Sequence, residues 1–407
     1  MALLPFLWSC GSSRKATAQI ETDPEPDDSG KVETTDIQPE RPVVTKSFSE
    51  VPAAGEGKVN YSLDFFRKAA GIMSPGSNFM VSPVSAGIAL SMLADGTEGP
   101  TRSEIIDALG GESYSGMKLA PDQNVVLTSA NSAWLRSGVN LYKSYSDTLE
   151  QNYGAAVRVR DFNDKSVPAE INSWCAENTA GRIPAILGPT IDTSTVLMLL
   201  NALYFKAPWA SPFEEEMTYD EQFHGVSSDV LRPFMHRSAK MAYYEKDGFQ
   251  AVRLPYKGGN YRMVVILPPK GMDPKGAAAA ADREMFMAKT YFDRVEVNLS
   301  MPKFKFDNQL SLNAILKSMG VRKAFLGGGF TRMTDADVAV SSVIQKCFIE
   351  VNEEGSEAAA VTAVTVGLTA VAGPRPQPKV MKVDRPFIFA ITDTKDNIYF
   401  VGRVSQL

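Results

Sequence analysis

Residues 358–374 carry no charged side chain and are rich in Ala, Val and Thr. Any fold for this chain has to dispose of that run, because an uncharged β-prone segment left on an open edge pairs with other chains. One solution is a buried strand or an Ala-rich helix. The flanks favour another. Upstream, Glu350-Val-Asn-Glu-Glu-Gly-Ser-Glu357 is acidic and turn-like, and downstream Gly373-Pro-Arg-Pro-Gln-Pro378 is irregular by its prolines, so the run emerges from the domain as a loop. In steps of two, Ser356, Ala358, Ala360, Thr362, Val364, Val366 and Leu368 share one face, small at first and larger later. Glu357, Ala359, Val361, Ala363, Thr365, Gly367 and Thr369 share the other. Such a segment can slide into a sheet from its Ser356 end, since nothing long or charged on the first face blocks entry.

The rest of the chain excludes the familiar enzymes. Only two histidines occur in 407 residues, His224 and His236, and neither lies in a motif. A Ser-His-Asp hydrolase, a His-ligated zinc enzyme or a histidine switch needs a histidine among specific partners. No Walker loop, GxSxG elbow, HExxH or GxGxxG is present, so no enzymatic activity, cofactor or metal is expected. A net charge of −5 without a basic stripe argues against nucleic acid. Cys175 and Cys347 sit in apolar surroundings and read as buried free thiols.

Three parts follow along the chain. Residues 1–10 are apolar and end in Leu-Trp-Ser-Cys10, similar to the box preceding the acylated cysteine of bacterial lipoproteins, although the positive n-region is missing and Trp8 is bulky. Residues 11–46 are polar and acidic, with too little apolar surface to offset ordering entropy, and read as a disordered tether. Together they predict an exported chain, extracellular or held at the outer membrane or cell surface through Cys10.

Residues 47–407 read as one large domain without a second linker. Apolar spacing predicts helices over 60–73, 82–94, 101–109 and 309–319; Ser82 before Pro83 is a favourable helix start. Strands are predicted at 196–205, buried on both faces, and at 249–254, 261–267 and 294–300. Helices early and strands late, without alternation, favour an α+β fold.

Several separate blocks then resemble one family, the serpins, in the family's order over residues 47–407. Asn78-Phe-Met-Val-Ser-Pro-Val-Ser85 is similar to its N-x-x-x-S-P-x-S segment, and Asn201-Ala-Leu-Tyr-Phe-Lys-Ala-Pro-Trp-Ala-Ser-Pro-Phe213 to its N-A-x-Y-F-K-G-x-W-x-x-P-F signature. Pro302-Lys-Phe-Lys-Phe306, Asp384-Arg-Pro-Phe387 and Phe400-Val-Gly402 fit later blocks, and Glu350–Ala360 resembles the hinge of inhibitory members.

The resemblance implies a fold of three β-sheets with about eight or nine helices and an exposed reactive loop at about 353–380. It implies a monomeric suicide inhibitor: a serine protease, or a papain-like cysteine protease, cuts the loop, and the freed strand inserts into the main sheet with the acyl-enzyme attached. A non-inhibitory serpin-fold binding protein is the alternative. Glu353, Gly355, Ser356, Glu357, Ala358, Ala359 and Ala360 become the hinge. The family's usual hinge length, counted from Glu353, puts the reactive bond at Thr369-Ala370; a hinge one residue shorter puts it at Leu368-Thr369. Counting back from Asp384 lands near Arg375, which Pro376 makes a poor site. The absence of Lys and Arg from 358–374 points to elastase-, subtilisin- or chymotrypsin-like targets. Ser82, Ser85, Asn201, Trp209 and Gln345 map to the region where the sheet opens. Gln345 stands where many members have histidine, and Ala207 where glycine is usual.

Overall fold

In a computed structural model of the chain, residues 53–117, 122–288, 290–356 and 377–407 are described. Residues 48–407 form one compact unit.

Seven α-helices occur among the described residues: α1 (Glu56–Ile72), α2 (Pro83–Asp95), α3 (Gly99–Ala108), α4 (Lys143–Tyr153), α5 (Val167–Glu177), α6 (Pro274–Ala280) and α7 (Asn313–Ser318). Three single 3₁₀ turns accompany them. Helix α2 starts as the sequence dictates: Ser82 caps it by accepting the Ser85 N–H at 3.2 Å, and Pro83 fills the first turn where its missing donor costs nothing. Being apolar nearly all round, α2 is buried along almost its whole length.

A six-stranded sheet contains β2 (Val126–Arg136), β3 (Ala156–Arg160), β4 (Leu197–Pro208), β10 (Phe304–Ser311), β11 (Val340–Val351) and the two-residue β12 (Gly355–Ser356). Its order is β10-β11-β12-β4-β2-β3, with β11 also pairing directly with β4. Strand β4 is the centre. Its alternate residues Leu197, Leu199, Leu203 and Phe205 enter the main core, while Met198, Leu200 and Ala202 enter a second core that α5 closes with Ile171 and Cys175. Both thiols are buried and free; burial pushes Cys175 up to about 11 and raises Cys347 further.

The other strands are β1 (Phe79–Val81), β5 (Thr218–His224), β6 (Asp229–Lys246), β7 (Phe249–Pro255), β8 (Tyr261–Leu267), β9 (Asp293–Pro302), β13 (Lys379–Lys382), β14 (Phe387–Asp393) and β15 (Ile398–Val404). They form one nine-stranded sheet ordered β1-β15-β14-β8-β7-β6-β9-β13, with β5 added on β6.

Two expectations need adjusting. The three expected sheets appear as two hydrogen-bonded networks, because the 18-residue β6 pairs with β5 and β9 along its length and with β7 at its end. The helix expected over 309–319 is only Asn313–Ser318. Residues up to Ser311 pair with β11 instead, since Phe304, Phe306, Asn308 and Leu310 alternate with period two. Seven helices among the described residues agree broadly with the expected number.

Ile171, on the inner face of α5, is fully buried in the second core. Ile171→Ala is expected to cost about 3 kcal/mol of stability, read from the denaturant midpoint.

Candidate functional site

The site lies where β11 and β4 part. Below, the two run in parallel register from Val340↔Leu197 to Phe348↔Tyr204. Above, the chain leaves β11 at Val351, turns, and returns as β12, wedged between Val351 of β11 and Ala207–Pro208 of β4. The turn is closed by Asn352, whose N–H donates to Gly355 O at 3.0 Å while its side-chain oxygen accepts the N–H groups of Glu354 and Gly355. Gly355 admits no side chain, because a Cβ there would stand 2.2 Å from Ala207 O. The next residue, Ser356, is fully buried and shares a 2.6 Å hydrogen bond with the Tyr256 hydroxyl.

Trp209 holds this end. Its indole N–H donates to Asn352 O at 3.0 Å, its backbone N–H to Glu354 O at 2.7 Å, and its ring stacks on Tyr256 at 4.6 Å. Glu353 is pinned beside it: Lys303 Nζ lies 2.9 Å from one carboxylate oxygen and the Thr218 hydroxyl donates to the other at 2.8 Å. Burial alone would raise the Glu353 pKa. The Lys303 ammonium, a backbone N–H and Thr218 outweigh it and hold the carboxyl below its ordinary value.

Lower down, a neutral network ties the closed part of the sheet to the start of α2. Gln345 on β11 faces Asn201 on β4. Its carbonyl accepts the Ser82 N–H at 2.8 Å, and its amide donates to Ser82 O and to Asn201 Oδ1, each at 3.1 Å. Asn201 in turn donates to Asn131 Oδ1 at 2.7 Å and to Ser85 Oγ, which shares a 3.1 Å bond with Ser129 Oγ. Amide and hydroxyl groups alone make the network, so it carries no charge at any ordinary pH.

The structure therefore brings Ser82, Ser85, Asn201 and Gln345 together, and gathers Trp209, Glu353, Gly355 and Ser356 at the parted end. Glu357, Ala358, Ala359, Ala360, Leu368, Thr369, Ala370, Arg375 and Cys10 lie outside the described residues. Sequence reading missed Asn131, Ser129, Tyr256, Lys303, Thr218 and Asn352. Asn131 was findable: it is an amide inside a strand whose buried stretch also holds Ala130, Ala133, Trp134 and Leu135. Among the described residues no group of His, Cys, Asp and Glu could hold a metal.

Known proteins resemble this chain in sequence and overall fold. The family model for Serpin (serine protease inhibitor) matches residues 56–407. An uncharacterised serpin-like protein of Thermococcus kodakarensis is 33% identical over 363 residues, covering 85% of this chain and 84% of that protein. The leukocyte elastase inhibitor of Sus scrofa is 31% identical over 372 residues, covering 85% and 97%. The crystal structure of a thermophilic serpin, tengpin, in the native state superposes with a TM-score of 0.78 at 28% identity, covering 88% of this chain and 96% of that one.

Two outcomes follow from the site. Lys303→Ala is expected to cost about 2 kcal/mol at neutral pH. Because the Glu353 pKa is lowered on folding, that contribution exists above its unfolded value of about 4.3 and vanishes as pH falls through the folded value, so variant and parent stabilities converge in acid. Gln345→His is expected to make the stability difference from the parent vary with pH between about 5 and 8, where a histidine can titrate.

Proposed function

The chain belongs to the serpin family, and from that premise we propose that it is a suicide inhibitor of serine endopeptidases, with papain-like cysteine proteases as a further target class. The observation that carries the proposal is β12. Its two residues already occupy the space between β11 and β4, antiparallel to both, with Ser356 buried, and the sequence that follows carries no charge over 358–374. A loop cut beyond this point can continue downward as a new strand by parting the β11–β4 pairing and its neutral pins. Charged pins would have to be desolvated again after opening; amides and hydroxyls exchange partners at lower cost.

The magnitudes support trapping. About fourteen inserted residues at roughly 3.3 Å each carry an attached protease about 45 Å. New ladder hydrogen bonds at about 1 kcal/mol each supply on the order of 10 kcal/mol before side-chain burial, enough to distort an acyl-enzyme site. In this reading the protease supplies all the covalent chemistry: its nucleophile forms the acyl bond to the residue before the cut, and the chain supplies the movement. The bait bond is Thr369-Ala370, with Leu368-Thr369 as the alternative, and the targets are elastase-, subtilisin- or chymotrypsin-like. The same proposal includes export and acylation of Cys10, which mass analysis of the isolated protein tests directly.

Incubation with these proteases is expected to give a complex that survives denaturing gels. Cleavage of the chain without any such complex, against every protease class, would instead mark a non-inhibitory member that uses the fold for binding. Thr369→Arg is expected to redirect complex formation to a trypsin-like enzyme; if Leu368→Arg does so and Thr369→Arg does not, the bait residue is Leu368.

A further inference from the structure

The six-stranded sheet ends on one side at β3, a five-residue strand, Ala156-Val-Arg-Val-Arg160, that pairs with β2 alone among the described strands. In a strand the N–H and C=O of one residue point to the same side, and those of the next residue to the other. Arg160 O accepts the Ser137 N–H at 2.8 Å, so residues 156, 158 and 160 turn their backbone groups toward β2, and Val157 and Val159 turn theirs outward. An outward row of this kind is a template for a further strand. The side chains suit one as well: Val157 packs on the main core, and Val159 is 37% exposed beside the open edge.

Both outward carbonyls are already taken by side chains of the strand itself. Arg158 Nη1 donates to Val157 O at 3.1 Å and Arg160 Nη1 donates to Val159 O at 2.9 Å, each guanidinium folding back on the residue before it. Arg160 is held in that pose, since its Nε and Nη2 form a fork with the two oxygens of Glu170 on α5 at 2.8 and 2.7 Å. An approaching strand would have to displace both guanidinium groups before its own N–H groups reached these oxygens. The other outer strand of the sheet, β10, carries exposed charges of both signs instead, Lys305 and Asp307.

The chain itself supplies a strand that this edge would otherwise take. Residues 358–374 are uncharged and β-prone, and the small side chains of Ala358, Ala360 and Thr362 fit beside Val157 and Val159. The chain's own loop starts between β11 and β4, with β4 and β2 standing between it and β3. The loop of a second copy has no such obstacle. We propose that Arg158 and Arg160 shield a strand-docking edge: by occupying the carbonyls of Val157 and Val159 they keep β3 from pairing with the loop run of a second copy. The proposal needs only the uncharged run and not protease trapping.

The test is self-association of the full chain, followed by sedimentation velocity over a concentration series. Arg158→Ala frees Val157 O. Arg160→Lys keeps a cation beside Glu170 but has no fork with which to hold Glu170 and Val159 O together. Association is expected to begin at about tenfold lower concentration than in the parent for Arg158→Ala, and lower still for the double variant. Charge alone predicts the reverse, because losing Arg158 takes the chain from −5 to −6 and adds repulsion between copies. Lys143→Ala makes the same change of charge at an exposed position on α4 and should leave the onset unchanged. In the associated variants, amide exchange at residues 157 and 159 should slow. Adding Val364→Pro, which breaks strand pairing without altering charge, should return the onset to that of the parent. Arg158→Ala changes one exposed side chain and reads the effect by itself if the double variant does not fold. An onset unchanged by the edge variants would overturn the proposal. So would association that leaves 157 and 159 exchanging as before, since the loop would then be seated elsewhere in its partner. Association that protects 157 and 159 but ignores Val364→Pro would overturn the loop as the strand that docks.

Discussion

The structure depends on one pairing that is satisfied but replaceable: the parallel contact between β11 and β4. Over Val340–Phe348 the two strands hydrogen-bond directly, and at Gln345↔Asn201 their side chains bond each other and Ser82. Every polar group there has a partner, so the closed sheet is stable as it stands. Yet an incoming strand would give each edge a new partner, and β12 shows the geometry by which it would start. Parallel pairing between strands that are not neighbours in the chain leaves that option open, whereas a hairpin would close it.

The two ends of the loop are held by different physics. At the N-terminal end, the fit is steric and apolar: no Cβ is tolerated at Gly355, Ser356 is sealed under Tyr256, and Trp209 caps the turn. Of the charges in this turn, Glu353 is paired with Lys303 on the rim. At the C-terminal end, the edge strand β13 is held by its ladder with β9, by buried Met381 and by the ion pairs Lys382–Glu221 and Lys379–Glu245.

Much of this was legible in the sequence, for stated reasons. The α2 start followed from Ser82-Pro83, β8 from an apolar run ended by two prolines, and the buried β4 from Leu197–Phe205. The resemblance located Gln345, Asn201, Ser82 and Ser85, which the structure joins in one network. Long-range register was not legible. That Lys303 meets Glu353, that Tyr256 meets Ser356, or that side chains from three strands meet on Glu221 depends on how distant segments pair, and no local spacing encodes it. The helix expected from residue 309 failed for a related reason: Gln309 and Leu310 fit a helical period, but pairing with Lys346 and Gln345 on β11 decided their conformation.

In the proposed mechanism the chain from Ser356 onward becomes a strand between β11 and β4 once the loop is cut. Thermal unfolding of the chain before and after a single cleavage within residues 357–376 tests it most directly. Insertion worth on the order of 10 kcal/mol should raise the midpoint of a domain of this size by roughly 10–15 °C. A midpoint that stays the same or falls after cleavage would mean that the cut loop does not insert.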